Sequence, residues 1–139
     1  MGSRVKYLRL EIPGRPAPKG SRTFGRRKDG SIYNRESSSR SSDWMKGAAE
    51  IIRQQAQGRT LEPPYRVAVT FTFKPPKKGS AWPVQGDLDK YCRNALDAAG
   101  GALKTGPLVD DRHVIELVAS KEYGSVEQTT LHIWSLADD

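Results

Sequence analysis

Between residues 66 and 74, apolar and smaller or polar positions alternate: Val67, Val69, Phe71 and Phe73 against Ala68, Thr70 and Thr72. A period of two sends every second side chain to one face, so the run predicts a strand with a core-facing side. Residues 5–12 show the same alternation from Val5 and Tyr7 onward, and Pro13, Pro16 and Pro18 end that first strand. Residues 112–121 and 126–135 are also strand-like, and Gly124-Ser125 between them predicts a hairpin. A 3.6-residue period appears twice. Met45, Ala48, Ala49, Ile52 and Ala56 follow it behind Ser42 or Asp43, either of which can cap a helix that Gly58 stops. Leu88, Tyr91, Cys92, Ala95, Leu96 and Ala99 follow it from a start near 87–90 to Gly100-Gly101. The predicted order is β-α-β-α-β-β. This implies one α+β domain over residues 1–139, with two helices packed on a mixed sheet of about four strands.

Residues 13–42 do not fit either period. They form a long basic segment, predicted to be a flexible DNA-binding loop. It carries Arg15, Lys19, Arg22, Arg26, Arg27, Lys28, Arg35 and Arg40, with Phe24 and Tyr33 interleaved. Charge divides the chain at the same scale. Residues 1–62 hold 14 Lys+Arg against 6 Asp+Glu, whereas residues 63–139 hold 9 against 10, which together give the net charge of +7. A basic half beside an acidic one suggests a polyanionic partner and a separate carboxylate site. A single cysteine, Cys92, excludes an internal disulfide framework and a multi-Cys zinc site. Cys92 falls on the apolar helix face and is expected in the core, and His113 and His132 are given no functional role. No apolar run approaches the roughly 20 residues of a membrane span, and the first residues lack a secretory apolar stretch, so a cytoplasmic setting is expected.

The acidic half concentrates aspartate in two places. Asp87-Leu88-Asp89 stands at the start of the second helix, and Asp110-Asp111 at the start of the next strand. Each has an ordinary explanation. Asp87 or Asp89 can cap the helix and favour its positive end, Asp89, Arg93 and Asp97 can form an i, i+4, i+8 ladder, and Asp110-Asp111 can make a turn. If instead the turn returns to the start of the helix, four carboxylates converge and repel, and a cation between them would relieve the repulsion. Oxygen-only donors select a hard ion, Mg²⁺ or Mn²⁺. Beside a phosphate-binding surface such an ion suits phosphodiester hydrolysis.

Asp87-Leu88-Asp89-Lys90-Tyr91-Cys92-Arg93-Asn94-Ala95-Leu96-Asp97-Ala98, followed by Val109-Asp110-Asp111, resembles the signature of RusA-type Holliday-junction resolvases. Pro16-Ala17-Pro18-Lys19-Gly20-Ser21-Arg22 is similar to that family's loop after its first strand, and the likeness runs over about residues 5–135. The resemblance implies a homodimeric, Mg²⁺-dependent endonuclease, bacterial or phage-encoded, that makes paired symmetric nicks in four-way DNA junctions. It implies metal ligands at Asp87, Asp89 and Asp111 with Asp110 as a fourth, and neither a nucleotide cofactor nor a membrane partner. A metal-activated water would attack the phosphodiester, while Arg93 or Lys121 offsets charge. Two positions depart from the family pattern: Arg93 stands where the family has a lysine, and Lys90 where it has asparagine. Arginine can hold a phosphate but cannot give up its proton, so the departure bears on rate more than on reaction class.

The basic arm, Lys19, Arg22, Arg26, Arg27 and Lys28, is expected to grip phosphates, with Phe24 either wedging against an unstacked base or anchoring the loop. Trp44, Trp82 and Trp134 are expected in the core or at an interface. Two alternatives stand beside this reading: a non-catalytic DNA-binding protein, and a nuclease for other branched DNA.

Overall fold

A computed structural model of the chain describes residues 3–20, 22–36, 39–100 and 110–138, with the side chains of 22–26, 32–36 and Ser39 outside the description. In chain order the elements are β1 (Arg4–Val5), β2 (Tyr7–Pro13), β3 (Arg22–Arg26), β4 (Ile32–Glu36), α1 (Ser39–Ala56), β5 (Thr60–Leu61), β6 (Tyr65–Phe73), α2 (Leu88–Ala99), a 3-10 turn (Asp111–His113), β7 (Val114–Tyr123) and β8 (Gln128–Ser135). This is the α+β class expected. The main sheet has four strands in the order β2-β8-β6-β7.

Burial follows the sequence period. On β6, Val67, Val69, Phe71 and Phe73 are buried, together with Leu8, Leu10 and Ile12 of β2 and Leu131 and Ile133 of β8. One face of the sheet is therefore apolar, and both helices cover it. Ala48, Ala49, Ile52 and Ala56 come from α1, and Tyr91, Cys92, Ala95, Ala98 and Ala99 from α2. Small residues on the inner faces of both helices let the backbones approach the sheet closely. Cys92 lies in this core, where burial and then the nearby Asp89 carboxylate push its thiol up. That is the inert role expected of it. Trp44 packs against the core, whereas Trp82 is 67% exposed. Trp134 joins Tyr7 and His132 in an aromatic row on the opposite face of the sheet.

Three features differ from the sequence reading. Residues 112–121 and 126–135 do not form a hairpin. β6 lies between their strands, pairing in parallel with β7 and antiparallel with β8. The link from Tyr123 to Gln128 passes the end of β6, where the Gly124 N–H donates to Phe73 O at 2.9 Å. β6 presents five buried apolar residues, Tyr65, Val67, Val69, Phe71 and Phe73, and so takes an interior place in the sheet. Second, residues 22–36 form an antiparallel hairpin, β3–β4, inside the expected loop. Asp29 accepts from Ser31 N (2.9 Å) and Ser31 Oγ (2.7 Å), and Gly30 supplies a φ of +91°. A glycine adopts that left-handed backbone without strain, which closes the turn. Third, α1 begins at Ser39, ahead of the Ser42 or Asp43 cap.

The parallel β6–β7 pairing has a consequence for the acids. Parallel neighbours need a crossover, and here α2 makes it. The helix runs back along the sheet, so its start lies at the far end of β7 and its end lies near the beginning of β7.

Candidate active site

Helix α2 is the axis of the site. Gly86 precedes it with φ +65°, and a Cβ there would lie 2.8 Å from Tyr91 Cε2, so glycine fits both the backbone and the packing. Lys121 Nζ donates to Gly86 O at 3.0 Å, which ties the late part of β7 to the start of the helix. Asp87 has the extended backbone of an N-cap, yet its side chain makes no capping bond. Its carboxylate is 72% exposed, with Lys90 Nζ at 3.9 Å. The capping explanation for Asp87 therefore fails, and its charge faces solvent.

Asp89 and Arg93 follow on the exposed side of α2. They border an apolar cleft of about 530 Å³ lined by Leu88, Cys92, Leu96, Leu117 and Ala119. Leu117 is 42% exposed there.

The second acid pair divides by role. Asp110 caps the 3-10 turn, its Oδ1 accepting from Arg112 N at 3.0 Å, and Arg112 Nε lies 3.7 Å from the carboxylate. The Arg112 amide bond, ahead of the nearby charges, holds the Asp110 carboxyl below its ordinary value. The turn explanation is thus right for Asp110. Asp111 behaves oppositely. Burial, followed by the negative charge of Asp97 and the contact with Asp110, pushes its carboxyl up.

By sequence Asp97 belongs to the Asp89-Arg93-Asp97 ladder and to the Ala95-Leu96-Asp97-Ala98 part of the motif, without a ligand role. It sits two turns beyond Asp89, and at 1.5 Å per residue those eight residues span about 12 Å. Asp111 lies close enough to Asp97 to feel its charge, while Asp87 and Asp89 stand at the other end of the helix. Among the described residues no group of three or more His, Cys, Asp or Glu side chains is gathered to hold a metal ion. The signal for Asp97 was available, since Asp89, Arg93 and Asp97 share one face by spacing. What was missing was the parallel β6–β7 pairing that places Asp111 beside its far end.

The basic arm is fastened near this axis. Arg27 and Lys28 are exposed at the end of the β3–β4 hairpin. Arg22, Phe24 and Arg26 are alternate residues of β3, and their side chains lie outside the described ones, as do Ser21 and Val109 of the motifs. Lys19 pairs with Asp97, Nζ to Oδ2 at 3.5 Å.

The fold is an α+β sheet with a β6-α2-β7 crossover that carries acids at both ends of its helix. The sequence model of the endodeoxyribonuclease RusA family matches residues 13–133. The chain belongs to that family, and it is an endonuclease of the Holliday-junction-resolving class. No curated protein matches the chain. Among the described residues, no helix is long and apolar enough to cross a membrane.

Proposed function

We propose that the protein resolves four-way DNA junctions as a homodimer in the cytoplasm, bacterial or phage-encoded, making paired symmetric nicks with Mg²⁺ or Mn²⁺. The observation that carries this reading is Asp87, a solvent-facing helix-start carboxylate with no capping bond, on the same helix as Asp89 and Arg93. The donor set fits a hard cation, because every candidate ligand offers carboxylate oxygen. The proposed ligands are Asp87, Asp89 and Asp111, with Asp110 contributing while it also caps its turn. When bound, the ion polarises the phosphoryl oxygen and acidifies water. Arg93 holds a non-bridging oxygen of the scissile phosphate and remains charged throughout. Lys121, oriented by Gly86 O, adds positive charge at the start of α2. Lys19, Arg22, Arg26, Arg27 and Lys28 contact phosphates on the junction arms, and Phe24 stacks on an opened base. Two symmetric cuts call for two copies related by a two-fold axis.

The negative charge of Asp97 that raises the Asp111 carboxyl favours a second reading of the ligand set. Asp97 lies about 12 Å along the helix from Asp89, so an ion held by Asp111 and Asp97 would be a different one from an ion held at the start of the helix. Asp97→Asn separates the two: nicking persists if the ligands are Asp87, Asp89 and Asp111, and is lost if Asp97 is a ligand.

The function is tested by incubating a synthetic four-way junction with and without Mg²⁺ and mapping nicks on all four strands. Symmetric, Mg²⁺-dependent nicks near the crossover are expected. Equal cutting of linear duplex or of flapped DNA would demote the junction, and binding without cutting would remove the hydrolytic site.

A further inference from the structure

Residues 16–20 are the root of the basic arm, and they lie strapped across α2. The Lys19 N–H donates to Lys90 O at 3.0 Å, and Gly20 N donates to Ser41 Oγ at 3.3 Å. Arg40 Nη2 donates to Pro16 O at 3.1 Å. At the centre is Asn94, with no exposed surface. Its Nδ2 donates to Ala17 O at 3.0 Å and to Ser41 O at 3.2 Å. One carboxamide thus joins three segments: the arm root, the first turn of α1 and the middle of α2. Its Oδ1 has no partner among the described residues. A buried amide that leaves its acceptor unsatisfied is held for its two donors, because an unmade buried bond is costly.

Asn94 is adjacent to Arg93 and five residues beyond Asp89. Pro16 and Ala17 are buried against the fold, so the arm leaves a fixed point rather than a loose tether. A phosphate held by the arm is therefore registered against the carboxylates on the other side of the same helix. Misplacement by about 1 Å at such a joint is enough to lower catalysis sharply.

We propose that Asn94 is a positioning residue: its two buried N–H donors lock the root of the DNA-gripping arm to helix α2, setting the distance between gripped phosphates and the cutting acids. The inference rests on the function proposed above. It goes beyond that reading by assigning the coupling to a residue that touches neither DNA nor metal.

The test uses the full-length chain with Asn94→Leu, which keeps volume and removes both donors, and Asn94→Ser, which keeps one donor. Ile52→Val, a core variant distant from the strap, is the control. Hydrogen exchange of the amides at Lys19 and Gly20 is read first, without DNA. Asn94→Leu is expected to speed their exchange about tenfold or more, with Asn94→Ser in between and the control unchanged. On a four-way junction, Asn94→Leu is expected to lower kcat about tenfold or more, because the gripped phosphates lose their register against the acids, with the affinity for DNA and its salt dependence within about twofold. If Asn94→Leu does not fold, the serine variant decides on the same readouts at smaller amplitude. Unchanged strap exchange overturns the proposal whatever DNA does. Faster exchange with unchanged kcat overturns it as well, and so does a loss that the control reproduces. A wild-type chain that neither binds nor cuts the junction sinks the proposed function, while the exchange measurement still decides whether Asn94 holds the strap.

Discussion

Helix α2 starts behind Asp87 and strand β7 starts behind Asp110-Asp111, and the backbone makes different demands on these acids. Asp110 answers a local need: its carboxylate closes a short turn and drops below its ordinary value on account of the Arg112 amide. Asp87 stands in the equivalent cap position and answers none. Asp111 is held partly buried against a second negative charge, Asp97, and rises. Residue type is the same in all three, so hydrogen bonding and surroundings decide which carboxylate is committed to the backbone and which is left open to a ligand.

The largest effect on this contrast is expected from neutralising a proposed metal ligand. Asp89→Asn is expected to lower Mg²⁺-dependent junction nicking about a hundredfold or more, measured as single-turnover rate, while DNA binding is retained. Near-normal cutting would place the chemistry elsewhere. Charge removal from the arm, Arg26→Ala with Arg27→Ala, is expected to weaken binding to all DNA alike. The slope of log affinity against log salt should flatten by about 0.9 for each phosphate the arm no longer neutralises. An unchanged slope would take the arm out of the interface.

Smaller effects test the scaffold. Gly86→Ala forces a Cβ toward Tyr91 and a left-handed alanine, so a destabilisation of about 1–2 kcal/mol in denaturant unfolding is expected. Asp110→Ala should lower the denaturant midpoint slightly by removing the cap of its turn, while Asp110→Asn keeps an acceptor and lowers it less. If Asp110→Ala costs nothing, the distinction between Asp110 and Asp87 fails.

The smallest effect concerns Asp111. Its folded pKa lies above the unfolded value, so the folded state holds the proton more tightly and the ionised form opposes folding. That opposition is complete above the folded pKa, fades as pH falls through it, and is absent below the unfolded value near 4. Asp111→Asn should thus stabilise the metal-free protein at neutral pH, and the gain should disappear in acid. Thermal unfolding from pH 7 down to 3 shows whether it does.

Much of the fold was legible because the periods were clean. The alternation of Val67, Val69, Phe71 and Phe73 and the spacing of Leu88, Tyr91, Cys92 and Ala95 each report one buried face. The hairpin at residues 22–36 was hidden, since Gly25 and Gly30 and the many charges interrupt any alternation in it. Pairing was hidden too. A short link after Tyr123 allows either a hairpin or a passage past β6, and only the competition for the centre of the sheet decides. The same unseen parallel pair governed the site. Spacing put Asp89, Arg93 and Asp97 on one face, but which end of that face Asp111 meets depends on the direction of β7 relative to α2.

The central claim is that these aspartates hold a divalent ion, and melting temperature tests it most directly. Mg²⁺ is predicted to raise the melting temperature of the wild-type chain and to raise that of Asp89→Asn less, while the metal-free variant is at least as stable as the metal-free wild type. If Mg²⁺ leaves the wild type unchanged and Asp89→Asn loses about 1 kcal/mol, Asp89 serves only the start of its helix and the account is contradicted.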